Sequence, residues 1–403
     1  MTMAPQQLAT REIGGEAISA TALPHFASLD AIRGLAAVMV VANHIPFTNP
    51  TIGWTVFRSA GRALDIFFVL SGFVIFYAYQ SKLSSLVSAR RFIWLRFWRV
   101  YPLHFVFLLV FLLFDVLKLI GERHGLSAYN PAFVADTPAA FLANLFLIQG
   151  MDGVHALTFN LRAWTISVEF YTYLVFVAAC LACQKFKPMF VLLCGAIFVS
   201  AYGFLFWVAP GGFEGMINGM GFVRCLTGFF LGGLTFLLYQ KIRRTHWIGT
   251  LCATGWPAFA VTALLLAYIC LTPLGPADFA AYPIVALFML IVLLSPGAMV
   301  SRLLMSRAPQ WLGETSYSIY MTHGAVLWLI TMLLRFGFHV PSAATPDGAF
   351  ELMSPWAGSA AAVVAIIASL MASRLVYLHI EKPVRDWSRR TKFRSAQPAV
   401  LPG

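Results

Sequence analysis

The sequence predicts an all-α protein: a polytopic bundle of about ten membrane-spanning helices with both termini cytoplasmic. Three observations carry that expectation. Apolar residues fill 60% of the 403 positions and charged residues only 11%, outside the balance of a soluble globular domain. Apolar runs of roughly 17–25 residues recur from Leu29 to Ile380, each long enough to cross a bilayer as a helix. The basic residues collect just beyond alternate ends of those runs, as positive-inside topology requires. The net charge of +12 therefore reflects topology, and no nucleic-acid partner is expected.

The first 25 residues are polar and mixed, without the apolar core of a signal peptide, and are expected to form a flexible cytoplasmic tail. The spanning runs follow at 29–47, 62–80, 101–120, 161–183, 188–208, 221–239, 247–271, 279–296, 313–336 and 357–380. A further apolar stretch, 139–150 (AAFLANLFLIQG), is too short to span and suits an interfacial or re-entrant helix. Charge settles the count. With the N-terminus inside, the inner loops hold Lys82, Arg90, Arg91, Arg96 and Arg99, then Lys185 and Lys187. Further along they hold Lys241, Arg243 and Arg244, then Arg302 and Arg307, and finally the tail from Lys382 to Arg394. The outer stretches 209–220, 272–278 and 337–356 contain no Lys or Arg. Letting 139–150 span would place four basic clusters outside. Residues 26–388 thus read as one membrane domain, and 389–403 as a basic cytoplasmic tail.

Trp54, Trp207, Trp247, Trp311, Trp356 and Trp387 sit near proposed interfaces, where an amphipathic ring is stable. In RRFIWLRFWRVYP (Arg90–Pro102) arginines alternate with aromatics. This fits an interfacial helix held by anionic membrane lipid and also a docking site for a phosphorylated donor; the two readings are compatible. The Gly-rich LTGFFLGGL (226–234) suits close helix approach. Cys180, Cys183, Cys194, Cys225, Cys252 and Cys270 lie in or near apolar runs and read as packing residues. The Cys180–Cys183 pair has no second pair or nearby His, so no metal is expected.

Ionisable groups inside spanning segments are costly and are candidates for function. The first run carries Asp30, Arg33 and His44. Arg33 and His44 are eleven residues apart, about 1100° of helical turn, so they share a face roughly 16 Å apart along the axis. Arg33 lies near the inner surface and His44 toward the outer. Arg33 with the 90–99 segment, including Arg91, Arg96 and Arg99, suits the phosphates of a donor. The donor's arm would then present a thioester near His44, the natural general base near neutral pH. Glu169 and Asp65 start at similar outer depth. Either would suit orienting His44, or forming a structural pair with Arg62, Arg162 or Arg224. His323, beside Tyr317 and Tyr320, falls mid-membrane and either lines the donor channel or satisfies a buried hydroxyl.

Taken together, these motifs resemble the integral-membrane acyltransferase family 3, which includes bacterial O-antigen and exopolysaccharide O-acetyltransferases. The similarity runs from about Leu29 to Trp387. It is carried, in order, by LDAIRGLAAVMVVANH, DIFFVLSGF, RFWRVYP, WTISVEFYTYL, LGETSYSIYMTH and the terminal EKPVR with Glu381. The chain departs from the usual pattern at Ala63 and Leu64, at Phe170, and at Thr322 and Gly324. The resemblance implies acetyl-CoA, or another acyl-CoA, as donor and a carbohydrate hydroxyl as acceptor. It implies essential roles for Arg33 and His44, and important ones for Arg96, Arg99 and Glu169. It also implies a multi-pass protein of the bacterial inner membrane. Some members carry an extra soluble esterase-like domain. This chain is expected either to complete the transfer alone or to pass the acyl group to a separate periplasmic partner. No Cys or Ser is placed to suggest a covalent intermediate, so direct attack is expected. Two alternatives stay open on the residues alone: a transporter or flippase of a lipid-linked glycan, and N-acylation of an amino sugar.

Overall fold

The computed structural model describes residues 26–48, 61–125, 131–151, 157–213, 219–345 and 348–391. The expected tail 1–25, residues 392–403 of the expected basic tail, and Trp54 lie outside them. Each predicted apolar run is helical, the run 247–271 as two helices. The order is α1 (Ala27–Asn43), α2 (Gly61–Tyr79), α3 (Leu86–Arg123), α4 (Pro138–Leu145), α5 (Trp164–Ala182) and α6 (Lys187–Val208). It continues with α7 (Gly221–Ile242), α8 (His246–Ala253), α9 (Trp256–Leu271), α10 (Ala281–Leu294), α11 (Met299–Leu304) and α12 (Arg307–Met332). The last two are α13 (Pro355–Val376) and α14 (Lys382–Arg390). Among the described residues eight helices are long and apolar enough to cross a bilayer, and the α8–α9 pair, bent by 69°, has the combined length and composition of a ninth. Gly255 makes that bend, with φ 78°, a conformation that favours glycine. The first expected span, α1, has 17 residues, roughly 25 Å of helix.

One helix differs from the sequence expectation. Residues 90–102 are not a separate interfacial segment but part of the 38-residue α3. Ser85 and Ser88 close a reciprocal capping box at its start. The helix passes through Pro102, which removes one backbone donor without ending it. At roughly 57 Å it exceeds a hydrocarbon core of about 30 Å, so its basic first turns reach beyond the core. The 139–150 stretch holds most of α4, at 8 residues too short to span, as the sequence leads one to expect.

Glycines set the packing. A Cβ on Gly34 would stand 2.5 Å from the Leu312 carbonyl carbon, so α1 lies backbone to backbone on α12. A Cβ on Gly72 would stand 2.6 Å from the Phe229 carbonyl carbon, and one on Gly232 would stand 2.9 Å from the Phe73 nitrogen. That brings α2 equally close to α7, as small-residue faces permit. Both pairs are parallel. Along α1 and α12, Gln310 donates to the Ala27 carbonyl at 2.8 Å and Arg33 to Ser316 at 2.8 Å, with His44 beside His323 farther up. Along α2 and α7, Arg224 donates to the Gly61 carbonyl at 3.2 Å, and Gln80 meets Gln240 at the other end. Had α4 crossed the membrane, α2 and α7 would run in opposite directions.

Beyond α1, strands β1 (Ser342–Thr345) and β2 (Gly348–Glu351) form an antiparallel hairpin. It catches the chain just after His44: Thr48 N–H donates to the Glu351 carbonyl at 2.9 Å, and Glu351 N–H to the Pro46 carbonyl at 3.2 Å. The buried Glu351 carboxylate is paired with Arg335. Burial pushes that carboxyl up, opposed by the guanidinium.

Candidate active site

A cavity of about 140 Å³ lies between α1, α2, α3, α5 and α12. One turn after another of these helices gives it charge. From α1, Arg33 donates through Nε to Ser316 and at 3.3 Å to the Gly313 carbonyl, and its guanidinium pairs with Asp30 at 2.8 Å. From α3 come Arg96 and Arg99, three residues apart and therefore on one face. Arg96 reaches the Tyr79 hydroxyl at 3.3 Å, while its Nε has no hydrogen-bond partner among the described residues. Arg99 pairs with Glu381 and lies 5.2 Å over the Tyr317 ring. Glu381, buried at the end of the chain's last apolar segment, also accepts from Ser318 at 2.6 Å. The EKPVR motif thereby fixes an arginine of the cavity wall.

Opposite these cations, α5 contributes Glu169. Its Oε1 accepts from Ser71 at 2.5 Å and from Tyr173 at 2.7 Å. Tyr173 is one turn beyond Glu169 on the same helix face, so the carboxylate is held by its own helix and by α2. Tyr317 lines the cavity too, its hydroxyl bound to the Val100 carbonyl.

His44 sits where α1 ends. Its Nδ1 lies 2.7 Å from the Val40 carbonyl, and a carbonyl only accepts, so Nδ1 carries the proton. Nε2 is then a lone pair, the form a general base needs. The His323 ring stands 5.4 Å away, centroid to centroid, and is fully buried. Arg162 is near enough for its charge to act on both rings.

Cavity and imidazoles do not form one open stripe. Arg33 lines the cavity, but His44 and His323 do not. Tyr320 stands between them. Its ring is 5.9 Å from Phe67 on the cavity side and 6.0 Å from His323 on the other. Its hydroxyl donates to the Arg162 carbonyl at 2.7 Å and accepts from Thr165 at 2.9 Å. The expectation that Arg33 and His44 share a face holds in that both meet α12, but a tyrosine divides the passage.

Other expected site residues lie elsewhere. Asp65 is buried in a bidentate pair with Arg224, 3.0 to 3.1 Å, and does not orient His44; the Val40 carbonyl does. Glu169 is likewise committed to Ser71 and Tyr173 instead of His44. Arg91 is exposed on α3 and outside the cavity lining, because it sits on a different face from Arg96 and Arg99. His323 accompanies His44 and not the expected donor channel. Ser71, Tyr173, Ser316 and Arg162 escaped the sequence reading as site residues. The spacing of Glu169 and Tyr173 was the one available signal. Near the outer ends of α3 and α4, Asp136 is pushed up to about 7 by burial and by a hydrogen bond with Asp115.

A family model described as an acyltransferase domain matches residues 26–374. Among curated proteins, the chain is 22% identical over 386 residues to the peptidoglycan O-acetyltransferase OatA of Listeria monocytogenes, covering 89% of this chain and 55% of that protein. It is 29% identical over 160 residues to acyltransferase MdmB of Streptomyces mycarofaciens, covering 37% and 38%. It is 39% identical over 83 residues to protein 2 in the picA locus of Rhizobium radiobacter, covering 20% and 40%. The chain thus spans about half or less of the length of these relatives. With the family model covering most of a polytopic helical bundle, the chain belongs to the acyltransferase-domain family.

Proposed function

We propose that this chain is a multi-pass O-acyltransferase of a bacterial inner membrane. It takes an acyl group, acetyl in the simplest case, from cytoplasmic acyl-CoA and passes it to a hydroxyl of a cell-surface or exported carbohydrate. The observation that carries the reading is the arrangement along parallel α1 and α12. Cations gather at a cavity toward the inner end, and an imidazole with a bare Nε2 stands at the outer end. Arg33, Arg96 and Arg99 suit the phosphates and polar arm of the donor. The Glu169–Ser71–Tyr173 group on the opposite wall offers hydroxyls to the amides of that arm.

His44 Nε2 takes the proton of the attacking hydroxyl. The new C–O bond forms as the thioester C–S bond breaks, and the thiolate recovers the proton from the imidazolium. Nδ1–H stays bound to Val40 throughout, which fixes the tautomer. A carbohydrate acceptor is supported by the relative named as a peptidoglycan O-acetyltransferase. The N-terminus inside and a donor site toward the cytoplasm accord with the distribution of basic residues.

The test uses the full chain in lipid nanodiscs with acetyl-labelled acetyl-CoA and peptidoglycan fragments. It scores free thiol and base-labile label on glycan. His44→Ala is expected to keep its thermal midpoint and lose about 10²- to 10⁴-fold in rate, the usual worth of a positioned base. Undiminished transfer by that variant would remove His44 from the mechanism. Base-stable product would mean an amide in place of an ester.

A further inference from the structure

His44 is fixed first to its own helix. Its backbone N–H donates to the Val41 carbonyl at 3.1 Å, and its Nδ1 to the Val40 carbonyl at 2.7 Å. A base must also stand at a set place relative to α12, whose His323 ring lies beside it. The backbone contact at Gly34 is ten residues back, roughly 15 Å along the axis. Closer to His44, Val41 and Ile319 share an apolar cluster, and apolar attraction is non-directional.

The chain just beyond His44 takes its hydrogen bonds from Glu351 of β2. Glu351 N–H donates to the Pro46 carbonyl at 3.2 Å. The Glu351 carbonyl accepts from the Thr48 N–H at 2.9 Å and from the Thr48 hydroxyl at 3.2 Å. Between them Phe47 forms a parallel bridge with Glu351. The Glu351 side chain turns the other way in function: fully buried, its carboxylate pairs with Arg335 on the π-helical turn Leu333–Gly337 that continues α12. One residue thus ties the exit of α1 to the outer end of α12.

Stability alone gives no reason for a charge here. Ile45, Phe47, Leu327 and Leu334 form an apolar cluster at the same junction. The second Glu351 oxygen, Oε2, has no hydrogen-bond partner among the described residues. A buried ion pair adds little net stability over an apolar pair of similar volume, but it has direction, which an apolar pair lacks. From Phe336 to Ser373 the sequence has no Lys or Arg, so the stretch that carries β2 meets its counter-ion at the end of α12.

We propose that Glu351 and Arg335 are positioning residues that hold His44 in register with α12 from the outer side. The inference rests on His44 acting as the base. Neither residue exchanges a proton in the transfer. Their part is to keep the last turn of α1 where Nε2 meets the attacking hydroxyl. The donor cavity, at the other end of α1, should not sense their loss.

The experiment uses full chains in nanodiscs and follows thiol release from acetyl-CoA, varying acetyl-CoA and peptidoglycan fragments in turn. Thermal unfolding is the fold control. Glu351→Leu combined with Arg335→Met removes both charges together and is expected to keep its midpoint within a few degrees. Its kcat should fall about 10- to 100-fold, the worth of a misplacement of about 1 Å. KM for either substrate should stay within about twofold. Arg335→Lys keeps a cation opposite Glu351 and should recover most of kcat. Thr48→Pro removes both donors to the Glu351 carbonyl, leaves the ion pair intact and should repeat the loss in kcat; it decides the matter if the double variant folds poorly. Wild-type kcat in a folded double variant, or in Thr48→Pro, would overturn the proposal. A loss confined to KM for peptidoglycan would overturn it too, making the hairpin an acceptor contact. No thiol release by wild type would instead defeat the acyl-CoA reading, and the role given to Glu351 would fall with it.

Discussion

Gly34 lies between the two residues of α1 that matter most, and adding one methyl there tests how tightly α1 and α12 set the site. A Cβ on Gly34 would stand 2.5 Å from the Leu312 carbonyl carbon, and ordinary contact begins at 3.4 Å, so Gly34→Ala needs a displacement of about 0.9 Å. The obstacle is backbone on both sides and cannot swing away. Such overpacking costs about 1–3 kcal/mol. The same displacement would stretch the Arg33–Ser316 hydrogen bond from 2.8 Å to roughly 3.7 Å, beyond hydrogen-bonding range. It would also shift His44 against His323. A misplacement of about 1 Å at a reacting centre is worth up to about 10²-fold in rate. The assay pairs thermal unfolding with acetyl transfer in nanodiscs. Gly195→Ala on α6 is the control, since nothing lies within 4 Å of its Cβ position, and it should match wild type in rate. If Gly34→Ala matches wild type in both midpoint and rate, close contact between α1 and α12 does not govern the site.

Two further predictions concern charge away from the cavity. Asp65→Asn leaves Arg224 buried without its counter-ion and should cost about 3–5 kcal/mol, read by denaturant titration. Asp65→Leu with Arg224→Met should recover much of that loss, and a fully stable Asp65→Asn would refute the pair's importance. Asp136 has a folded pKa of about 7, raised from the usual carboxylate range. Its contribution to stability is therefore complete below about pH 4 and lost as pH rises through 7. The thermal midpoint should fall between about pH 4 and 7, and Asp136→Asn should flatten that slope; an equally steep variant would place the dependence elsewhere.

The spans were legible because bilayer thickness imposes a length and composition on every crossing, and α2, α6 and α13 begin within a few residues of their apolar runs. The shared face of Arg33 and His44 was legible from helix geometry alone. Periodicity says nothing, however, about which helix lies opposite. The Arg99–Glu381 pair joins residues 282 positions apart, and the His44–His323 contact is equally remote in sequence. The continuity of α3 was hidden by its arginines, which interrupt the apolar run without interrupting the backbone hydrogen bonds. The sequence left Asp65 open between orienting His44 and pairing with Arg62, Arg162 or Arg224, and the structure pairs it with Arg224. Its neighbour Arg62 gave no hint of Asp278, which lies in a stretch chosen as an outer loop for lacking Lys and Arg.

Arg62 and Asp65 stand less than one turn apart on α2, yet they hold different parts of the bundle. Arg62 grips Asp278 and the Thr272 and Pro273 carbonyls ahead of α10, while Asp65 grips Arg224 of α7. Two anchors at different azimuths stop a cylinder from turning about its long axis. The rotational setting of α2 decides that Leu64, Phe67 and Ser71 face the cavity. A charge deletion at the rim would therefore register several turns away as a changed cavity wall, even where the helix itself stays intact.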